Sequence, residues 1–194
     1  MTKEIILALK ISFLTLLLTG IAYPFVVAGF SHLVFHRQAN GSLISDEQNK
    51  MIGSELIGQN FKSPAYFFSR PSAAGKGYDG SASGGSNLAP TSKELRERIQ
   101  EKIKEIKQDN IEPIPIDFIT ASGSGLDPHI SPQAAYWQAP RIALHRDVAL
   151  RRIFSIIDDL IEPPQFYFLG EPRINVLKLN LILDQYFGPP VAPP

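Results

Sequence analysis

Chemistry-bearing side chains are densest in SGSGLDPH at residues 122–129, where Ser122, Ser124, Asp127 and His129 stand within one turn's length. Hydroxyl, imidazole and carboxylate are the groups of an acyl-transfer site, so a hydrolase using Ser124 and His129 is one reading. The spacing argues against it. A nucleophile elbow needs Gly two places before and two places after the serine, and around Ser124 those places hold Ser122 and Leu126. The other reading is a tight Gly-rich loop in which Asp127 and the serines satisfy backbone amides. On that reading the four residues form an interaction loop, with no catalytic residue assigned. The stretch lacks the Lys of a Walker loop, so it specifies no phosphate site.

The remaining chemistry is thin. The chain has no Cys, which excludes a disulfide framework, a thiol nucleophile and a thiolate zinc site. His32 and His36 sit one helical turn apart without nearby carboxylates or a third ligand; they read as imidazoles at a bilayer edge, and no metal is assigned. The LHRD at residues 144–147 starts like a kinase catalytic loop, but Arg152 stands in the place of the metal-binding Asn and no Asp-Phe-Gly follows. SGGSN at 83–87 has the composition of an anion-cradling nest, for which a turn or contact role is the plainer reading. With 19 basic and 19 acidic side chains spread along the chain, there is no electrostatic footprint for nucleic acid.

These groups are positioned by a chain with an unusual start. Between Lys10 and Arg37 no Asp, Glu, Lys or Arg interrupts the apolar run, which exceeds the roughly 20 residues needed to cross a bilayer. Gly20 and Pro24 are tolerated in such a span, with a kink expected near Pro24. A cleaved signal peptide is the competing reading, with 11–18 as its apolar core and cleavage at 20–22 or 26–28. Cutting after Ala22 would leave residues 23–35 as an apolar terminus, which argues for retention. Lys3 and Lys10 precede the span, and Arg37, with His32 and His36, follows; this bias favours a cytoplasmic N-terminus. The expected organisation is therefore a cytoplasmic 1–10, a transmembrane helix at 11–35, one extracytoplasmic α+β domain at 36–187, and a disordered tail at 188–194. The span has no acidic residue and no carbonyl-filter sequence, so this chain alone carries no ion pathway.

Within the outer domain, Thr91 and Glu94 form a capping box ahead of a Leu95, Ile99, Ile103, Ile106 stripe, which predicts a helix running to about Asn110. A second helix begins after Asp147 and stops at Pro163-Pro164; a third covers 177–187. Ser131-Pro132 starts helical structure that Pro140 is expected to interrupt before Arg146. Strands are predicted at 114–120, 165–169 and 173–176, where branched and aromatic residues cluster between turn formers. Phe61, Phe67, Phe68, Phe118, Trp137, Phe154, Phe166 and Phe168 are expected to fill one hydrophobic core, with 65–87 as a long Gly, Ser and Ala-rich loop. A small-molecule pocket between the 65–87 and 120–132 loops is a further alternative, making the chain a membrane-anchored binding module.

Six phrases, taken in order, say more than any one. They are NGSLI at 40–44, GSELIGQNF at 53–61, YFFSRPSA at 66–73, ASGGSNLAP at 82–90, TASGSGLDPHISPQAAYWQAPRIA at 120–143 and GEPRINVLKLNLILD at 170–184. As an ordered set they closely resemble the KdpC family, a component of the Kdp potassium-transporting P-type ATPase, over nearly the whole chain. The resemblance implies an accessory, non-hydrolysing subunit in the bacterial inner membrane. Its implied partners are a channel-like potassium-binding subunit, an ATP-hydrolysing subunit and a very small membrane peptide. It also implies a catalytic chaperone that raises the ATP affinity of the hydrolysing subunit, through a stretch likened to Leu-Ser-Gly-Gly-Gln. Here the corresponding residues are Val148, Ala149, Leu150, Arg151 and Arg152, without the glutamine. ATP is cytoplasmic, whereas the charge bias puts the domain outside. The physical reading is that the helix docks on the channel-like subunit, the outer domain lies at its potassium entrance, and any effect on ATP is an indirect coupling.

Overall fold

The computed structural model describes residues 2–45, 50–106 and 112–190. The chain divides into two compact units, Met1–Ser54 and Glu55–Pro194.

The first unit is dominated by a helical run, Thr2–Val34, of 33 residues with none of its apolar window buried. It comprises α1 (Thr2–Leu17), a π-helical turn (Leu18–Ala22) and α2 (Tyr23–Val34). Helix therefore includes residues 2–10, ahead of the apolar run. The disturbance expected at Pro24 takes the form of the π turn. Pro24 has no N–H and its ring crowds the carbonyl four residues back, at Gly20, so the wider turn relieves both. The hydroxyls of Thr15 and Thr19 donate to the carbonyls of Ile11 and Thr15, so both are satisfied within the helix itself. Phe35 breaks the helix at φ −122° and ψ 44°. A turn of helix, α3 (His36–Ala39), then leads into an antiparallel pair of strands, β1 (Leu43–Ser45) and β2 (Met51–Ser54), with a register shift between Ile44 and Ser45.

The second unit is a mixed α+β body. Four helices, α4 (Lys93–Ile106), α5 (Pro132–His145), α6 (Leu150–Asp159) and α7 (Val176–Phe187), accompany a two-stranded antiparallel ladder of β3 (His129–Ile130) and β4 (Ile174–Asn175). The core lies where α5, α6 and α7 meet, and includes Phe67, Ile130, Ala135, Ala139, Ile142, Ile153, Ile157, Ile174, Leu179 and Leu183. Trp137, Phe118 and Ile106 form a smaller cluster that receives the end of α4.

Caps explain where the helices start. Ser131 accepts from Ala134 N at 3.0 Å ahead of Pro132, as the Ser-Pro pair predicts. Asn175 accepts from Lys178 N at 3.1 Å and opens α7. Before α4 the cap is Ser92, whose Oγ accepts from Leu95 N at 3.4 Å, and not Thr91. The predicted end of that helix near Asn110 lies outside the described residues, as do residues 191–194 of the predicted tail.

Several expectations are corrected. Helix α5 continues through Pro140 because burial of Ala134, Ala135, Ala139 and Ile142 on one face outweighs the lost backbone bond. The predicted strand at 114–120 is a 3-10 turn, Ile116–Phe118; Pro113 and Pro115 remove ladder donors. At 165–169 there is no strand but a tight turn. Phe166 and Phe168, expected in the core, are exposed there. The predicted strand at 173–176 shrinks to Ile174–Asn175, and Val176 already belongs to α7.

Candidate functional site

The SGSGLDPH loop lies where separate stretches of backbone come together. Ser124 Oγ accepts from Leu126 N at 3.1 Å, and Ser124 O accepts from Gly84 N at 2.8 Å and Ser83 Oγ at 3.0 Å. Gly125 O accepts from Ser72 Oγ at 2.6 Å, and that same Oγ accepts from Ala74 N and Tyr78 N. Leu126 O accepts from Gly58 N at 2.8 Å, and Pro128 O from Val176 N at 2.9 Å. The approach is too close for side chains. A Cβ at Gly125, where φ is +67°, would lie 2.6 Å from both Ala74 N and Gly84 O, and one at Gly58 would lie 2.6 Å from Asp127 O. Ser122 is buried, with its carbonyl accepting from Gly125 N.

Asp127 and His129 face another way. His129 N donates to Asp127 Oδ1 at 3.0 Å, and the His129 ring lies with Nδ1 3.4 Å from Asp127 Oδ1 and Nε2 3.9 Å from Glu162 Oε2. Arg70 Nη1 sits 3.4 Å from Asp127 Oδ2. Glu162 is also held by Arg173 Nε at 3.0 Å and lies 3.7 Å from Lys178 Nζ, which bonds Glu55 at 3.0 Å. The result is a row of alternating charge. Beside it is an open cleft of about 520 Å³, whose lining includes Arg70, Asp117, Asp127, His129, Glu171 and Arg173. Burial pushes the Asp127 carboxyl up, but its bonds to His129 and the charges of His129 and Arg70 outweigh that and hold it below the ordinary carboxylate range.

The structure thus splits the four sequence-selected residues into two pairs. Ser122 and Ser124 serve the backbone junction; Asp127 and His129 belong to the charged row. A serine hydrolase needs its base bonded to the nucleophile, and here the serine hydroxyl is engaged with Leu126 N while the imidazole faces two carboxylates. Among the described residues no three His, Cys, Asp or Glu side chains assemble as a metal-binding group. His32 and His36 are neighbours with ring centroids 6.4 Å apart. The 148–152 stretch leads into α6. Val148 N and Arg152 N donate to Ala143 O and Ala149 O, and the Arg152 guanidinium stacks on Phe187 at 4.8 Å.

A second polar knot fixes the 64–70 segment that delivers Arg70. Arg146, its side chain almost wholly buried, donates to Ala65 O at 2.8 Å, Gly188 O at 2.9 Å and Asp184 Oδ1 at 2.7 Å. Asp184 Oδ2 accepts from Tyr66, whose phenol is pushed up to about 12 by burial and by that bond. Gln138 and Asn180 bond both the N–H and the C=O of Phe68 and Phe67 respectively, like strand partners made of side chains. Arg141 donates to the carbonyls of Pro64 and Tyr66. The Arg of LHRD is therefore an internal clamp.

The chain matches known proteins along most of its length. The family model described as "KdpC: K+-transporting ATPase, c chain" matches residues 5–185. The chain belongs to the KdpC family. A potassium-transporting ATPase KdpC subunit from Myxococcus xanthus is 48% identical over 192 residues, covering 97% of this chain and 91% of the relative. One from Acidobacterium capsulatum is 50% identical over 166 residues, covering 86% and 89%. Another, from Yersinia pseudotuberculosis, is 49% identical over 183 residues, covering 92% and 91%. KdpC membership accounts for the ordered phrases, and the structure gives them physical jobs: YFFSRPSA supplies the clamped segment and Arg70, and GEPRINVLKLN supplies Arg173, β4 and the cap of α7. Glu55, Glu162, Arg173 and Lys178 were not singled out from the sequence. Glu55, Arg173 and Lys178 lie inside the quoted phrases, as Arg70 does, and Glu162 lies outside them, but nothing in the sequence pairs residues so far apart along the chain.

Proposed function

We propose that the chain is a non-catalytic, membrane-tethered subunit of a potassium-transporting P-type ATPase, with its N-terminus in the cytoplasm and its α+β body outside. The helix docks on a channel-like potassium-binding subunit, and the body lies at that subunit's external entrance. The remaining partners are the ATP-hydrolysing subunit and a small membrane peptide. The observation that carries this reading is the uncovered apolar helix Thr2–Val34. At 1.5 Å per residue it is about 50 Å long, beyond the roughly 30 Å of a hydrocarbon core. Leaving so much apolar surface without protein cover is stable only in lipid or against other spans.

With a body outside and ATP inside, a catalytic-chaperone effect on ATP affinity acts through the assembly. The body biases the potassium-binding subunit between states, and that bias reaches the nucleotide site as a coupling free energy, typically about 1–3 kcal/mol. No residue of this chain touches ATP in that scheme. Because the chain has no Cys, one introduced cysteine reports topology cleanly. In intact cells carrying Lys93→Cys, an exposed position on α4, a membrane-impermeant maleimide is expected to label the chain without lysis. Labelling only after lysis overturns the external placement.

A further inference from the structure

The loop from Pro163 to Pro172 carries the aromatic side chains that the core does not take. Phe166 is 70% exposed, Tyr167 88%, Phe168 76% and Leu169 50%. Phe166 and Tyr167 also occupy left-handed backbone, at φ +54° and +68°, which bulky residues adopt rarely. The turn is nonetheless tightly held. Gln165 and Leu169 exchange backbone bonds of 3.0 and 2.9 Å, and Tyr167 N donates to Pro164 O at 2.9 Å. Its neck is closed by two backbone bonds between Glu162 and Arg173, of 2.8 and 3.0 Å, plus their ion pair, and is stiffened by Pro163, Pro164 and Pro172. Strained backbone and solvated aromatic rings are both unfavourable in the isolated body, and no packing among the described residues compensates them. A stiff turn that presents rings already in place is the form of an interface anchor, since little freedom is lost on binding.

We propose that Phe166, Tyr167 and Phe168 form a docking knob that enters an apolar recess with a basic rim on another protein of the transport complex. This rests on the subunit reading above. Charge selects the occupant. The flanks carry Asp158, Asp159, Glu162 and Glu171 against Arg173, and Lys178 reaches Glu162 at 3.7 Å, so four carboxylates face two cations and the residues bordering the knob are net acidic. An anionic bilayer surface repels such a collar, and a second copy of this chain brings the same acidic collar against it. Lysines or arginines around an apolar recess complement both features.

The test places a photoreactive phenylalanine analogue at position 167 of the full chain, expressed with its complex in intact cells, and a second probe at position 25 on the apolar helix. The expected result is a light-dependent adduct from position 167 to another protein of the complex, at a peptide in which apolar residues are flanked by Lys or Arg. Phe166→Ser with Tyr167→Ser is expected to leave the melting temperature of the chain unchanged, while recovery of the partner proteins after a high-salt wash falls at least about tenfold. A lipid adduct, a self-adduct, or no adduct from position 167 overturns the knob when position 25 still captures another protein of the complex. If neither probe captures one, the subunit reading fails and the knob fails with it.

Discussion

Replacing Gly125 by Ala separates the two readings of the SGSGLDPH loop. The backbone at φ +67° disfavours a side chain by roughly 1–2 kcal/mol. The new Cβ would also sit 2.6 Å from Ala74 N and from Gly84 O, backbone atoms on a separate stretch of the chain. Neither can rotate away as a side-chain tip would, so the junction must open, at an overpacking cost of about 1–3 kcal/mol. Together these give roughly 2–5 kcal/mol, and at about 2–4 °C per kcal/mol for a chain of this size the melting temperature drops by roughly 4–20 °C. The control is Gly170→Ala. Its φ of +89° is at least as unfavourable, and nothing lies within 4 Å of the added carbon, so it reports backbone strain alone. Ser124→Ala removes one local turn bond and lowers stability by about 1 kcal/mol. Thermal melts of the detergent-solubilised full chain measure all three. A Gly125→Ala melt no lower than that of Gly170→Ala would refute close backbone packing as the reason for this glycine. Loss of low-potassium growth in Ser124→Ala at unchanged protein level would restore a chemical role for the serine.

The Arg146 clamp gives a second stability test. Arg146→Met strands Asp184 and several carbonyls, at about 3–5 kcal/mol or roughly 10 °C in melting temperature. Arg146→Lys recovers only part of it, because an ammonium cannot reach acceptors on both sides as the guanidinium does; a full rescue by Lys in thermal melts would count against the forked geometry. The third test is acid stability. Asp127 is held below its ordinary range in the folded chain, so it contributes stability above its unfolded value that disappears as pH falls through its folded value. Asp127→Asn is expected to lower the melting temperature near neutral pH and to converge with the parent chain in strong acid. Parallel curves at every pH would show that the carboxylate's charge does not matter.

These tests bear on how the α+β body is built. The loops at 56–58, 72–85 and 122–129 have little regular structure, yet they are bound to one another by short bonds at Ser72, Gly84, Ser124 and Leu126. Those bonds hold the charged row from Arg70 to Lys178 in a fixed arrangement.

Much was legible in the residues alone. The apolar run, the helix starts at Ser131 and near Thr91, and the core positions Phe67, Phe118 and Trp137 follow from period, capping and hydrophobicity, which are local properties. Pro140 misled because its penalty is local while the burial that overrides it is tertiary. Residues 165–169 misled for the converse reason: aromatic residues favour strands only where a sheet receives them, and among the described residues no partner strand reaches this turn. Asp127 and His129 were legible as polar residues of one loop, but their row with Glu55, Glu162 and Lys178 was not, since these meet only when β3 and β4 pair and α7 packs. Sequence by itself determined that one end of this chain is a long apolar helix and that the other folds around a hydrophobic core, because burial free energy depends on residue type and spacing. Only the tertiary structure decided that the serines of the loop brace backbone, that its aspartate and histidine join a surface ion row, and that three aromatic rings are left out of the core, because those outcomes depend on which distant backbone atoms come within bonding distance.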